Sequence, residues 1–197
     1  MLQTPSQTVG PYFAYGLCPE QYLYDFKSLV PSDRVTSSHP VTHPGTQIVP
    51  SDGVTSSDPV TQPVTQITIT GKVFDGEGVP IPDAMVEIWQ NDGKNRLFGR
   101  FGTGTDPENR FVFHTLKPEP VNDQAPFITV MVFMRGQLIH SYTRIYFSDE
   151  ADLNEKDEAL GAVPADRRHT LIAQKNDSVY TFDIHMQGEN ETVFFDV

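Results

Sequence analysis

Cysteine is almost absent from this chain: Cys18 is the only one among 197 residues. That excludes an intramolecular disulfide and any metal site built from several thiolates, and it makes a reducing, cytoplasmic setting the expectation. Positive charge is also scarce. Fourteen Lys and Arg face 26 Asp and Glu, for a formal net charge of −12, and such a field repels phosphate backbones and anionic lipid headgroups. Nucleic acid and membrane surfaces are therefore not expected partners, and any anionic substrate needs a local arginine to capture it. Apolar runs long enough for a bilayer, about 18 residues or more, do not occur. The opening Met1–Ser6 lacks a basic region leading into an apolar run, so no secretory signal is expected. A glycine-rich phosphate loop and a βαβ pattern are missing as well, which removes the main support for nucleotide-dependent chemistry.

Aromatic residues are plentiful. Thirteen Phe and seven Tyr, within 38% hydrophobic residues, supply one substantial core, and the length favours one domain. From about Gln66 the chain becomes a series of short apolar, β-branched and aromatic runs separated by turn residues, the pattern of an all-β sandwich. The runs predict strands at Gln66–Phe74, Ala84–Trp89, Arg110–Leu116, Phe127–Met134, Leu138–Phe147, Thr170–Gln174, Val179–Met186 and Thr192–Phe195. Asp75-Gly76-Glu77-Gly78 and Arg135-Gly136 mark turns. One short helix is expected over Ser148–Leu160, with Ser148 as its cap, Asp149 and Glu150 at the positive end of its dipole, and Gly161 and Pro164 ending it. The expected class is a β-sandwich with one short helix and long loops.

A tandem duplication interrupts the first third of the chain. PSDRVTSSHPVTHPGTQIV at Pro31–Val49 is echoed by PSDGVTSSDPVTQPVTQIT at Pro50–Thr68. Two copies cannot form a solenoid, and the Ser, Thr and Pro content predicts a surface loop. His39 and His43 have the spacing of two ligands on one helix face, but Pro40 and Pro44 oppose a helix, and the second copy carries Asp58 and Gln62 instead. The organisation read from this is an N-terminal arm over residues 1–30, the duplicated insertion over 31–68, and the sandwich over 69–197.

Four motifs carry a family resemblance. They are Thr4-Pro5-Ser6-Gln7-Thr8-Val9-Gly10-Pro11-Tyr12, then Val86-Glu87-Ile88-Trp89-Gln90 after Gly71-Lys72-Val73-Phe74-Asp75-Gly76, then Thr115-Leu116-Lys117-Pro118, then Phe182-Asp183-Ile184 with Gln187-Gly188-Glu189-Asn190-Glu191-Thr192-Val193-Phe194-Phe195-Asp196. Together they resemble the intradiol ring-cleaving dioxygenases in the same order, over most of the chain apart from the duplication. The closing motif is more like the alpha-type subunits of the heteromeric members.

In the iron-bearing chains of that family Fe(III) is held by two tyrosinates and two histidines, and hard phenolate oxygen stabilises the ferric state. The histidines lie in an Arg-Pro-Ala-His-Ile-His segment, which corresponds here to Gln124-Ala125-Pro126-Phe127-Ile128-Thr129, so Phe127 and Thr129 replace both imidazoles and Gln124 the arginine. One tyrosine follows a Lys-Pro-Gly-Pro pattern that here reads Lys117-Pro118-Glu119-Pro120-Val121, and Val121 is no ligand. The other falls between Asn91 and Thr105, where no tyrosine occurs. The resemblance thus implies an iron-free alpha-type subunit, with Fe(III) held by a beta-type partner of the same fold. The implied reaction belongs to aromatic catabolism, the O2-dependent cleavage of protocatechuate between its hydroxylated carbons to 3-carboxy-cis,cis-muconate. Gly10, Pro11, Tyr12 and Arg135 match positions that line the cleft between the two chains. No residue of this chain is expected to be catalytic.

Two other readings stay open at this level. A sandwich that has kept the fold and lost the chemistry would be a structural or binding module. A self-sufficient homomeric dioxygenase could assemble its ligands from His114 and from His140, Tyr142 and Tyr146, which alternate with Arg144 along one expected strand. Cys18 reads as a packing residue, with no cationic neighbour to lower its thiol pKa.

Overall fold

The computed structural model describes Leu17 and residues 27–29, 65–91 and 96–196. The duplicated stretch up to residue 64, His39, His43, Cys18 and the motif residues Gly10, Pro11 and Tyr12 lie outside the described residues.

Within β1, Gln66–Phe74, buried and half-exposed residues alternate along the strand, as a period of two requires when one face meets a core. The strands that follow are β2 Met85–Asn91, β3 Arg96–Gly102, β4 Arg110–Leu116, β5 Phe127–Phe133, β6 Ser141–Phe147, β7 Ile172–Asn176, β8 Val179–Thr181 and β9 Ile184–His185. They hydrogen-bond in the order β3-β2-β5-β6-β7-β8-β1-β4, with β9 added alongside β1. Parallel pairing of Tyr146 with Ile172 and of Phe147 with Ala173 joins the β3-β2-β5-β6 layer to the β7-β8-β1-β4 layer. Ile69 and Val73 of β1 and Phe111 and Phe113 of β4 pack with Val86, Ile88, Ile128, Val130, Val132 and Ile145 into one buried core between the layers. The ends of the strand path approach each other, with the Phe101 and Phe113 rings edge to face at 6.2 Å. This is the expected all-β sandwich, nearly closed.

Gly71 is required by a close approach. A Cβ there would stand 1.8 Å from the Phe182 carbonyl oxygen, where the Phe182 amide donates to the Thr70 carbonyl at 2.8 Å.

Several boundaries differ from the sequence expectation. The single helix over Ser148–Leu160 is two short ones, α1 Ala151–Asn154 and α2 Glu158–Gly161. Ser148 caps neither; its hydroxyl accepts the Lys175 amide at 3.0 Å. Asp157 breaks the run. It is buried, and its carboxylate accepts the Leu160 amide at 2.8 Å as the α2 cap while also taking the Ala125 amide and the Tyr146 hydroxyl. The segment between Asn91 and Thr105, expected as a loop, contains β3, antiparallel to β2. Its Gly, Arg and Asn content hid a strand whose ladder, not its propensity, decides its state. Strand β6 begins at Ser141, because Leu138 and Ile139, 92% and 68% exposed, belong to the preceding turn. The Val179–Met186 run divides at Phe182-Asp183, where the Asp183 carboxylate accepts the Lys72 amide at 2.9 Å. Thr192–Phe195 forms no ladder and is tied by single bonds, from the Thr192 amide to the His185 carbonyl at 2.9 Å and from the Phe195 amide to the Tyr142 carbonyl at 2.8 Å.

Candidate functional site

The β3-β2-β5-β6 layer has a second face, turned away from the core. Alternation puts Glu87 and Trp89 of β2, Phe127, Thr129 and Met131 of β5, and Tyr142, Arg144 and Tyr146 of β6 on it. Register aligns them in rows. Thr129 pairs with Trp89 on one side and with Arg144 on the other, and Phe127 pairs with Tyr146. Phe127 and Thr129, the two residues expected at the histidine positions, thus lie side by side on this face, each directly opposite a polar residue of β6.

Arg144 spans the two. Its guanidinium carbon lies 4.3 Å from the centre of the Phe127 ring and 5.6 Å from that of Phe195, so the cation is held between two aromatic faces, an arrangement that gains strength as water is excluded. Its Nη1 donates to the Tyr146 hydroxyl at 3.4 Å. Tyr146 is fully buried and donates its own proton to Asp157 at 3.1 Å. Burial, first among the causes, and the neighbouring Asp157 charge push its phenol up to about 12, against the opposing pull of Arg144. Tyr146 is therefore a neutral donor near neutral pH. The Thr129 and Tyr142 hydroxyls stand 3.4 Å apart beside it.

On the same face Glu87, 1% exposed, takes two bonds from Arg100 of β3, at 2.9 Å from Nε and 2.6 Å from Nη2. Arg100 also donates from Nη1 to the Leu17 carbonyl at 3.1 Å. Leu17 packs on Met85, Met131 and Phe133 with Trp89 and Tyr142. Nothing in the linear sequence pairs Glu87 with Arg100, because the composition of β3 predicts a loop.

Two of the sequence motifs meet inside the sandwich. Gln90 donates to the Leu116 carbonyl at 2.7 Å and accepts from the Thr115 hydroxyl at 2.9 Å, so Glu87–Gln90 and Thr115–Lys117 support one another. Lys117 then bonds Asp149 at 3.0 Å and also Glu150, while Lys175 at 2.8 Å and the Tyr180 hydroxyl at 2.9 Å close on the same Asp149 carboxylate.

Over nearly its whole length the chain is 45% identical to the protocatechuate 3,4-dioxygenase alpha chain of Burkholderia cepacia, covering 99% of this chain and 98% of that protein. The chain belongs to the protocatechuate 3,4-dioxygenase alpha-chain family. The corresponding alpha chain of Pseudomonas putida is 34% identical over 98% of this chain and 96% of its own length. No family model matches. Solved structures agree on the fold. The dioxygenase domain of a carbohydrate-binding fusion from Streptomyces sp. SirexAA-E superimposes with a TM-score of 0.51 at 17% identity over 98% of this chain and 100% of that one. An intradiol ring-cleavage dioxygenase from Tetranychus urticae gives 0.51 at 16% identity over 62% of this chain and 80% of its own.

The residues expected at the ligand positions do not fit a ferric ion. Phe127 offers a hydrocarbon ring already stacked on a cation, and Thr129 a neutral hydroxyl. Val121 opens the tight turn Val121–Gln124, whose two central residues Asn122 and Asp123 have φ of 52° and 63°. The alternative ligand set is not assembled. His114 lies on β4, in the other layer, with its Nδ1 3.1 Å from the Thr68 hydroxyl. His140 precedes β6, its ring 5.3 Å from that of Phe133. Among the described residues no group of three or more His, Cys, Asp and Glu is placed to hold a metal, and no helix is long and apolar enough to cross a membrane.

Arg135, the one expected cleft residue among those described, begins the turn between β5 and β6, where Gly136 has a φ of 85° that glycine adopts without strain. Its side chain is 60% exposed and ion-paired to Asp83.

Proposed function

We propose that this chain is the iron-free subunit of a heteromeric protocatechuate 3,4-dioxygenase, cytoplasmic, paired with an iron-bearing beta-type chain of the same fold. The observation that carries the reading is Arg144: a guanidinium stacked on Phe127 and in register with Thr129 stands across both positions that match the family's imidazoles. Fe(III) in the partner would supply the activation of the catechol ring toward O2. This chain contributes binding and orientation, which lower the barrier although none of its side chains makes or breaks a bond.

Arg135 is the residue proposed to meet the substrate carboxylate. Its guanidinium is charged at any working pH and exposed, and the Asp83 contact fixes its base while leaving donors free to reach outward. Gly10, Pro11 and Tyr12 are proposed to line the same cleft. With a net charge of −12, the chain needs such a local cation to hold an anionic ligand.

Coexpression with an iron-bearing beta-type chain, followed by purification through a tag on this chain, tests the reading. The two should copurify, and ring cleavage should appear only in the joint sample. A chain that stays alone and inactive under these conditions would instead be a binding sandwich that has kept only the fold.

A further inference from the structure

We propose that Arg144 is a resident cation that closes this face of the chain to metal, so that the face rejects a metal ion through a fixed positive charge as well as through missing ligands. The inference rests on the iron-free reading and adds a cause to it. Lost ligands alone would leave a vacant polar patch that a few substitutions could refill. The geometry is different. Arg144 sits opposite Thr129 in the β5–β6 ladder, with its guanidinium carbon 4.3 Å above the Phe127 ring and 5.6 Å from the Phe195 ring. A metal ion bound between side chains at 127 and 129 would lie within a few ångströms of a charge that cannot be removed by deprotonation.

The surroundings hold that charge in place. Phe195 is brought over β6 by the bond from its amide to the Tyr142 carbonyl at 2.8 Å. The Tyr146 hydroxyl hydrogen is directed at Asp157, which leaves the hydroxyl oxygen to accept from Arg144 Nη1 at 3.4 Å. Two aromatic faces and one oriented hydroxyl thus fix the guanidinium in a half-buried position, where repulsion between cations is screened far less than in water. The Phe127 ring, at a position expected to hold an imidazole, is itself part of the cradle for Arg144.

The test restores imidazoles and asks whether the charge still excludes metal. In the full chain, Phe127→His with Thr129→His places two imidazoles on one strand face, and Zn(II) is titrated calorimetrically against this variant and against the same variant carrying Arg144→Gln. Removal of the charge should tighten specific zinc binding by about tenfold or more. Arg144→Lys in the same background keeps a charge without the planar stack, and it should stay within a few-fold of the Arg144 form. Equal affinities with Arg144 and with Gln, including no specific binding to either, would overturn the proposal. So would an Arg144→Lys form that binds as tightly as the Gln form; if the Gln variant fails to fold, Arg144→Met in the same background takes its place as the uncharged form, with the same two outcomes. Stoichiometric iron in the unaltered chain would sink the iron-free reading itself, a separate outcome that these zinc titrations do not produce.

Discussion

Glu87 and Arg100 face each other across the β2–β3 hairpin, two bonds deep, and Arg100 hands a third bond to the Leu17 carbonyl. Through Arg100 a buried acid on the sheet is tied to Leu17.

Glu87→Ala should therefore be strongly destabilising, because it leaves the largely desolvated Arg100 guanidinium without its counter-charge. Breaking such a pair costs roughly 3–5 kcal/mol, whereas replacing both ends by apolar groups is often close to neutral. Urea unfolding of Glu87→Ala, Arg100→Met and the Glu87→Leu/Arg100→Met double variant checks this. The double variant should recover most of the loss.

How much of this was legible in the chain depends on distance along it. β1 and β4 are bounded by their alternation and are found at the expected residues, Gln66–Phe74 and Arg110–Leu116. The alternation of Tyr142, Arg144 and Tyr146 was equally readable. What sequence could not supply was register. That Arg144 stands opposite Thr129, that Arg100 belongs to a strand at all, and that Asp157 breaks a helix because it serves Ala125 and Tyr146 are consequences of partners remote in sequence.

Acid stability should depend on Asp149. Although its partial burial opposes the shift, bonds from Lys175, Lys117 and Tyr180 bring its carboxyl down to about 2 from an ordinary 3.8. A depressed folded-state pKa contributes stability that is present above the unfolded value and lost as pH falls through the folded one, so the loss falls between about pH 4 and pH 2. Asp149→Asn should lower the urea midpoint near neutral pH and flatten its decline across that window. A decline as steep as in the unaltered chain would place the acid sensitivity elsewhere.

Arg135→Ala should raise KM for protocatechuate in the joint enzyme with iron content unchanged. The expected loss is that of a charge-assisted hydrogen bond, roughly 1.5–3 kcal/mol. Catechol, which lacks the carboxylate, should be much less affected. Steady-state kinetics with both substrates distinguish recognition from assembly: equal weakening of the two, or of neither, would remove Arg135 from the cleft.

Deleting Pro31–Val49, one copy of the duplication, should leave folding and activity nearly unchanged. Loop length enters closure entropy logarithmically, at about 0.6 kcal/mol for each doubling. Thermal unfolding and gel filtration of the deletion variant with its partner check this, and loss of soluble assembly would show that the insertion packs against something.

The central claim is tested most directly by the iron content of this chain purified without a partner and supplied with Fe(III). The account predicts well below one iron per chain, no red-brown phenolate-to-iron colour and no ring cleavage. One tightly bound Fe(III) per chain, with that colour and turnover of a catechol, would contradict it.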